Sequence, residues 1–279
     1  MATNVHMLAH QQLLLTQRIE RRGIIEVSRV TQRYMTDLLA RFRKTRRLLS
    51  SKKYFEKSVP IIANSMALAY LQSYNATLAR ARRQKPTKLE LYDDLLVSLA
   101  GIHDLDLDAI RKKFNTQAFN VVSKASKAVD SELRDFVSEL IASGMHVRKA
   151  VSELTSKFTA LGLTVKNSYQ LETIFRTQSQ LAYNAARWTA EQNPDIQEIL
   201  WGYTYVTVGD DRVRPEHAAL DGMTLPKDDK RWDLFWPPNG WSCRCQVISI
   251  FEASKVIQPK KGFEIDEDFR FNPGKVLAI

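Results

Sequence analysis

His217, Cys243 and Cys245 are the side chains in this sequence whose types and spacing suit a soft metal ion. On an extended strand two thiols at i, i+2 point to one face, with Arg244 between them turned away. An imidazole from the preceding loop adds a third donor, and zinc is the candidate metal for such a Cys2His set. No fourth ligand of a standard pattern follows; Asp210, Asp211, Asp221 or a water is available for that position. Thiols without a metal, hydrogen-bonded to the histidine, are the open alternative. The same residues admit an enzymatic reading, a metal-dependent nuclease using His217 with Asp210 or Asp211 as an acid and base pair. That chemistry also needs a third carboxylate or a nucleophile, which the sequence does not place nearby, so no catalytic residue is assigned.

The residues around these donors look built to hold them. The run Gly209-Asp210-Asp211-Arg212-Val213-Arg214-Pro215 reads as a turn whose aspartates bond backbone amides and pair with Arg212, Arg214 or Arg244. Trp232, Phe235, Trp236 and Trp241 interleave with Pro237, Pro238, Asn239 and Gly240, giving a short module its apolar mass. Asn239-Gly240 suits a tight turn that delivers Trp241 into the last strand. Asp210, Asp211, Arg212, Arg214, Trp236, Asn239, Gly240, Trp241 and Arg244 are therefore expected to stabilise the module.

The elements that must position this module are a pair of strands and a series of helices. In ILWGYTYVTV the period is 2, with Tyr203, Tyr205 and Thr207 on one face, and a second strand is expected over Cys243 to Ile250. Before Pro194 the period is 3.6 throughout. A long amphipathic helix from about His10 to Lys57, with a break near Gly23, carries Val27, Val30, Tyr34, Leu38 and Phe42 on one face. A second begins at Pro60 and ends in Arg80, Arg82 and Arg83; a third runs from Lys88 to about Ala100. Asp104, Asp106 and Asp108 lack the glycine and closing glutamate of a calcium loop and read as helix-capping acids. Further helices are expected from Leu107 to about Ser143, His146 to Phe158 and Ser168 to Gln192, with Gly144 and Gly162 as terminators. In the last of these helices Arg176, Thr177, Gln178 and Asn184 are read as capping and bundle contacts.

Charge is unevenly placed. Of a net +10, residues 1 to 90 contribute +13, from 18 Lys+Arg against 5 Asp+Glu, and the rest is near neutral. A basic helical face made of Arg29, Arg33, Arg41, Arg43, Lys44, Arg46, Arg47, Arg80, Arg82 and Arg83 suggests an anionic partner, with nucleic acid ahead of a membrane surface. The N-terminus lacks the pattern of a signal peptide, and no apolar run approaches a membrane span, so no membrane anchor is expected. Two cysteines two positions apart are too few for a disulfide framework, so reduced thiols are expected.

The helix containing RTQSQLAYNAARW, the strand ending in YVTVGDDRVRPEHAALDG and the segment PPNGWSCRCQV, in that order, resemble the phage Mu F-like head morphogenesis family, minor head proteins of tailed phages. The resemblance covers about Gly144 to Ile250. It implies a structural virion component of few copies, without enzymatic activity, that associates with the portal and enters the prohead during assembly. It also implies a role near packaged DNA or in its ejection. Partners implied are the portal protein, a major capsid or scaffolding protein, and double-stranded DNA bound without sequence preference. The place implied is the phage head near the portal, and the host cytoplasm during assembly. A non-specific DNA-binding scaffold without portal association is the further alternative. The family often has an acidic residue after Arg-Thr in its helix, where this chain has Gln178. The expected architecture is α+β and mostly α: a basic helical arm or bundle over 1–143, a Mu F-like domain over 144–251 with a small β module, and an extended tail over 252–279.

Overall fold

The computed structural model describes residues 2–45, 47–84, 105–143, 145–161 and 169–277. In chain order the helices are α1 (Ala2–Thr45), α2 (Lys52–Phe55), α3 (Val59–Gln84), α4 (Leu107–Ala142), α5 (Val147–Ala160), α6 (Tyr169–Glu191) and α7 (Pro194–Ile199). Strand β1 (Gly202–Val206), the short helix α8 (Pro215–Ala218), β2 (Thr224–Pro226), α9 (Trp232–Phe235), β3 (Gln246–Ile250) and α10 (Pro273–Val276) follow. The fold is α+β and mostly α. The helix expected over Lys88–Ala100, together with Asp104, Gly144 and Gly162, lies outside the described residues.

The chain forms two compact units. One comprises Glu20–Asn64 and Phe114–Arg176 and is a helical bundle. Val27, Thr31, Tyr34, Leu38 and Phe42 are buried at steps of three and four along α1, and Phe114, Ala118, Val122, Ser126, Val129, Leu133 and Val137 do the same along α4. Tyr34 packs edge-on against Phe55 at 5.9 Å and Phe158 at 6.0 Å. The backbone between α1 and α2 is held by Asp130 of α4, whose carboxylate accepts from Ser51 N at 2.7 Å and Ser50 Oγ at 2.6 Å. Asp106 caps α4, accepting from the amides of Asp108 and Ala109 at 3.1 and 2.9 Å, as its residue type and position suggest.

Two features of α1 differ from the expectation of one helix to Lys57 broken near Gly23. The helix ends at Thr45, and it passes through Gly23 without a break. Gly23 serves packing: a Cβ there would stand 2.0 Å from the ring of Phe175, which is fully buried. Gly23→Ala gains helix propensity of about 1 kcal/mol but must displace a locked ring, which costs about 1–3 kcal/mol. The expected outcome is a net loss of about 1 kcal/mol in urea unfolding. A gain in stability would show that the ring gives way freely.

The other unit comprises residues 2–19, 65–113 and 177–279 so far as they are described, and contains the β module. Its sheet is antiparallel in the order β2-β1-β3, with Thr204 opposite Thr224 on one side and Ile248 on the other. All five residues of β1 are buried, so this central strand is covered on both faces. Tyr203, Tyr205, Leu225, Trp232, Trp236, Val247, Leu78 and Ala190 share one core. The segment after Phe251, expected to be extended, adds Ile265, Phe269 and Leu277 to the buried residues. Gly274 of α10 fits against Trp188 so closely that a Cβ would lie 2.3 Å from its side chain.

Candidate functional site

The site forms where the turn preceding β3 meets α8. β3 begins at Gln246, so Cys243 and Cys245 lie in this turn and not on the strand as expected. Their placement comes from turn geometry in place of a pleat: Ser242 takes φ 56°, and Cys243 N donates to Gly240 O at 3.2 Å. Ser242 N donates to Thr177 Oγ1 at 2.9 Å, and Gln180 Nε2 donates to Cys245 O at 3.2 Å, which fastens both ends of the CxC segment to α6. Across from it Pro215 opens α8, and His217 N donates to Arg214 O at 3.0 Å, turning the imidazole inward.

The structure brings the three predicted donors together. His217 Nδ1 lies 3.6 Å from the sulfurs of both Cys243 and Cys245, and all three residues are at least 95 % buried. Both thiols are free. Burial alone pushes the Cys243 thiol up, but hydrogen bonds from Cys245 and His217 outweigh it and hold Cys243 well below the ordinary thiol value. The hydrogen bond with Cys243, and burial after it, push Cys245 well above that value. Arg214 Nη2 approaches the other ring nitrogen, Nε2, at 3.2 Å.

Asp210 does not join this cluster. Its carboxylate is held by Arg244 through two bonds of 2.6 Å and by Arg212 at 3.1 Å. The Arg244 hydrogen bonds, with smaller help from Arg212, hold the Asp210 carboxyl well below the usual range, leaving it a fixed anion and not a proton carrier near neutral pH. Asp211 is exposed in the same turn. Among the described residues, His217, Cys243 and Cys245 form the one group of three such ligands, and neither aspartate belongs to it.

Trp236 is fully buried and its Nε1 donates to Asn184 O at 3.0 Å. Asn239 is buried, accepts from the Tyr205 hydroxyl at 2.7 Å and donates to Leu234 O. Gly240 is needed for space, since a Cβ would meet Asp266 and Arg214 at 2.3 and 2.4 Å. Trp241 departs from the core expectation: it is 41 % exposed and packs edge-on against Phe269.

A stripe on α6 that sequence reasoning only half saw proves central. Thr177, Gln180, Asn184, Arg187 and Glu191 recur at steps of three and four, all buried, and all face the β module. Thr177, Gln180 and Asn184 make the bonds given above; Arg187 donates to Val247 O, and Ser249 Oγ donates to Glu191 Oε1. The signal was present as a polar heptad stripe, but the stronger apolar stripe of the same helix hides it.

Of the predicted basic contacts, Arg29, Arg33, Arg41, Arg43, Lys44, Arg47 and Arg83 are exposed. Arg80 is not a surface base: its Nη2 donates to Ser249 O at 2.8 Å, its guanidinium lies over Phe251, and burial lowers its pKa to about 10. Arg46 and the side chain of Arg82 lie outside the described residues. No helix among the described residues is long and apolar enough to cross a membrane.

Residues 131–248 match the family model described as Phage Mu protein F like protein. Over this segment, which is less than half of the chain, the sequence is similar to the Mu F-like family. It is 30% identical over 150 residues to the Mu-like prophage FluMu F protein of Haemophilus influenzae, a match covering 50% of this chain and 36% of that protein. It is 28% identical over 155 residues to the putative capsid assembly protein F of Escherichia phage Mu, covering 50% and 35%. An uncharacterized protein of Methanocaldococcus jannaschii is 26% identical over 162 residues, covering 58% of this chain and 22% of that protein. The chain thus spans little more than a third of the length of the phage relatives it matches. No solved structure matches it. The Mu F-like segment contains the α6 stripe, the Asp210–Arg244 pair and the His217, Cys243, Cys245 cluster. The basic face of α1 and the packed residues after Phe251 lie outside it.

Proposed function

We propose that this protein is a structural minor head protein that docks on the phage portal through the basic face of α1 during prohead assembly. The observation that carries this reading beyond its family is the run Arg29, Arg33, Arg41, Arg43, Lys44 and Arg47, all exposed, while Val27, Tyr34, Leu38 and Phe42 of the same stretch are buried. A row of exposed bases on one stretch of helix favours an anionic partner surface. The name of the phage Mu relative, a putative capsid assembly protein, supports a place in the head.

Protein is favoured over DNA as the first partner. A groove of about 700 Å³ beside these bases is lined by Ile24 and Ile25 as well as Arg29 and Arg33, and Ile25 is 55% exposed. DNA phosphates offer nothing to an isoleucine, whereas a protein surface with acidic and apolar residues satisfies both. Packaged double-stranded DNA is the second partner, held through phosphates without base reading.

The test is co-expression with the portal protein of the same phage, followed by sizing chromatography at moderate salt. Co-elution is expected for the parent and its loss for the triple variant Arg29→Glu, Arg33→Glu, Arg41→Glu. No parent co-elution, or undiminished co-elution of the variant, overturns the reading. Steeply salt-dependent DNA binding without portal association would make the chain a DNA scaffold instead.

A further inference from the structure

We propose that Cys243, Cys245 and His217 Nδ1 bind one zinc ion that ties the turn before β3 to α8. The distances carry the argument. A tetrahedral zinc with bonds of about 2.3 Å to sulfur and about 2.1 Å to nitrogen sets those two donors about 3.6 Å apart. Both Sγ to Nδ1 distances are 3.6 Å. In a hydrogen-bonded trio a single ring proton would have to be split between the two sulfurs in a weaker three-centre bond, whereas an ion satisfies both sulfurs fully. With all three donor atoms within 4.8 Å of one another, the two equal distances leave room for one ion between them.

The donors are held in place by contacts independent of any metal. The CxC segment is fastened to α6 at Ser242 and at the Cys245 carbonyl, and His217 is set by the first turn of α8. Two thiolates, a neutral imidazole and a divalent cation sum to no net charge, which is what a nearly fully buried site requires. A fourth ligand would be a water; the Tyr205 hydroxyl beside Cys245 and the Asn239 backbone beside Cys243 are polar groups at the cluster. Soft sulfur donors select zinc over magnesium or calcium.

Arg214 is the charged neighbour that loading must move. Zinc on Nδ1 leaves the ring proton on Nε2, facing the Arg214 Nη2 donor at 3.2 Å. Loading therefore turns Arg214 off the ring. Asp266, which packs on the same face of Gly240, and Glu216 at 3.9 Å are the carboxylates that receive it.

The test uses the full chain purified without chelator. Elemental analysis is expected to find one zinc per chain, and cobalt exchanged into the site is expected to give a tetrahedral spectrum with a thiolate-to-cobalt charge-transfer band. Cys245→Ser and His217→Gln are expected to lose both the zinc and that band. Should either variant fail to fold, cobalt titration of the metal-stripped parent still decides. Absence of zinc together with an octahedral aqua-type cobalt spectrum overturns the site.

Discussion

Trp236→Ala is expected to remove about 3–5 kcal/mol of stability, the largest loss of any single side-chain truncation in the β module. Trp236 is fully buried, and three aromatic rings surround it edge-on: Tyr203 at 4.8 Å, Trp188 at 5.0 Å and Trp232 at 6.0 Å. Each such pair contributes roughly 0.5–1.5 kcal/mol beyond area burial. Truncation leaves a cavity walled by large, rigid rings on different elements, so the site cannot collapse to fill it. The indole also donates to Asn184 O, one of the contacts that seat α6 on the module. Trp236→Phe keeps most of the ring and loses that donor, so it should cost distinctly less than the alanine variant. Urea unfolding followed by near-ultraviolet circular dichroism separates the two. A loss below about 1 kcal/mol for alanine would remove Trp236 from the centre of this core.

The parts of this fold that were legible in the sequence are those fixed by local rules. The period of α1, α4, α5 and α6, the proline near the start of α3 and the Asp106 cap are all written within a few residues of where they act. β1 was legible from its alternation, although Thr204 and Val206 on the second face are buried as well. β2 was not. It is three residues long and ends in Pro226, and it exists because Leu225 and Thr224 pair with β1 across a turn. The cysteines came together as expected but for a different reason: a turn with a left-handed Ser242 aligns them, not the pleat of a strand.

What the sequence could not show depends on residues far apart in the chain. Gly23 looks like a break until Phe175 is placed against it. Arg80 looks like a C-terminal surface cation until Ser249 O is found to accept from it. Residues beyond Phe251 look like a tail because their apolar residues are sparse, yet Ile265 and Phe269 each fill a place in a core built from other elements. The candidate site divides in the same way. Its donors were visible by residue type, whereas the α6 stripe that holds them required knowing which face of that helix meets β3.

That stripe ends in Glu191, and its titration should set a pH dependence of folding between 4.5 and about 7. The side chain is fully buried, and burial raises its pKa from 4.5 to about 7 against the opposing pull of Arg187, Ser249, Arg80 and the nearby Tyr203 hydroxyl. Its Oε2 has no hydrogen-bond partner among the described residues, an arrangement that disfavours the ionised form. Below pH 4.5 the carboxyl is protonated in folded and unfolded chains alike, and this group adds no pH dependence. Between 4.5 and about 7 the folded chain holds a proton that the unfolded chain has released, so stability falls as pH rises through this window. Above it the loss is complete, at roughly 3 kcal/mol. Glu191→Gln presents a neutral side chain of the same shape at every pH. The variant should therefore be more stable than the parent at about pH 8 and nearly equal to it at about pH 4, with the difference growing across the window. Parallel pH–stability curves for the two proteins, measured by urea unfolding, would show that Glu191 is ionised in the folded chain throughout and that Arg187 and Arg80 outweigh its burial.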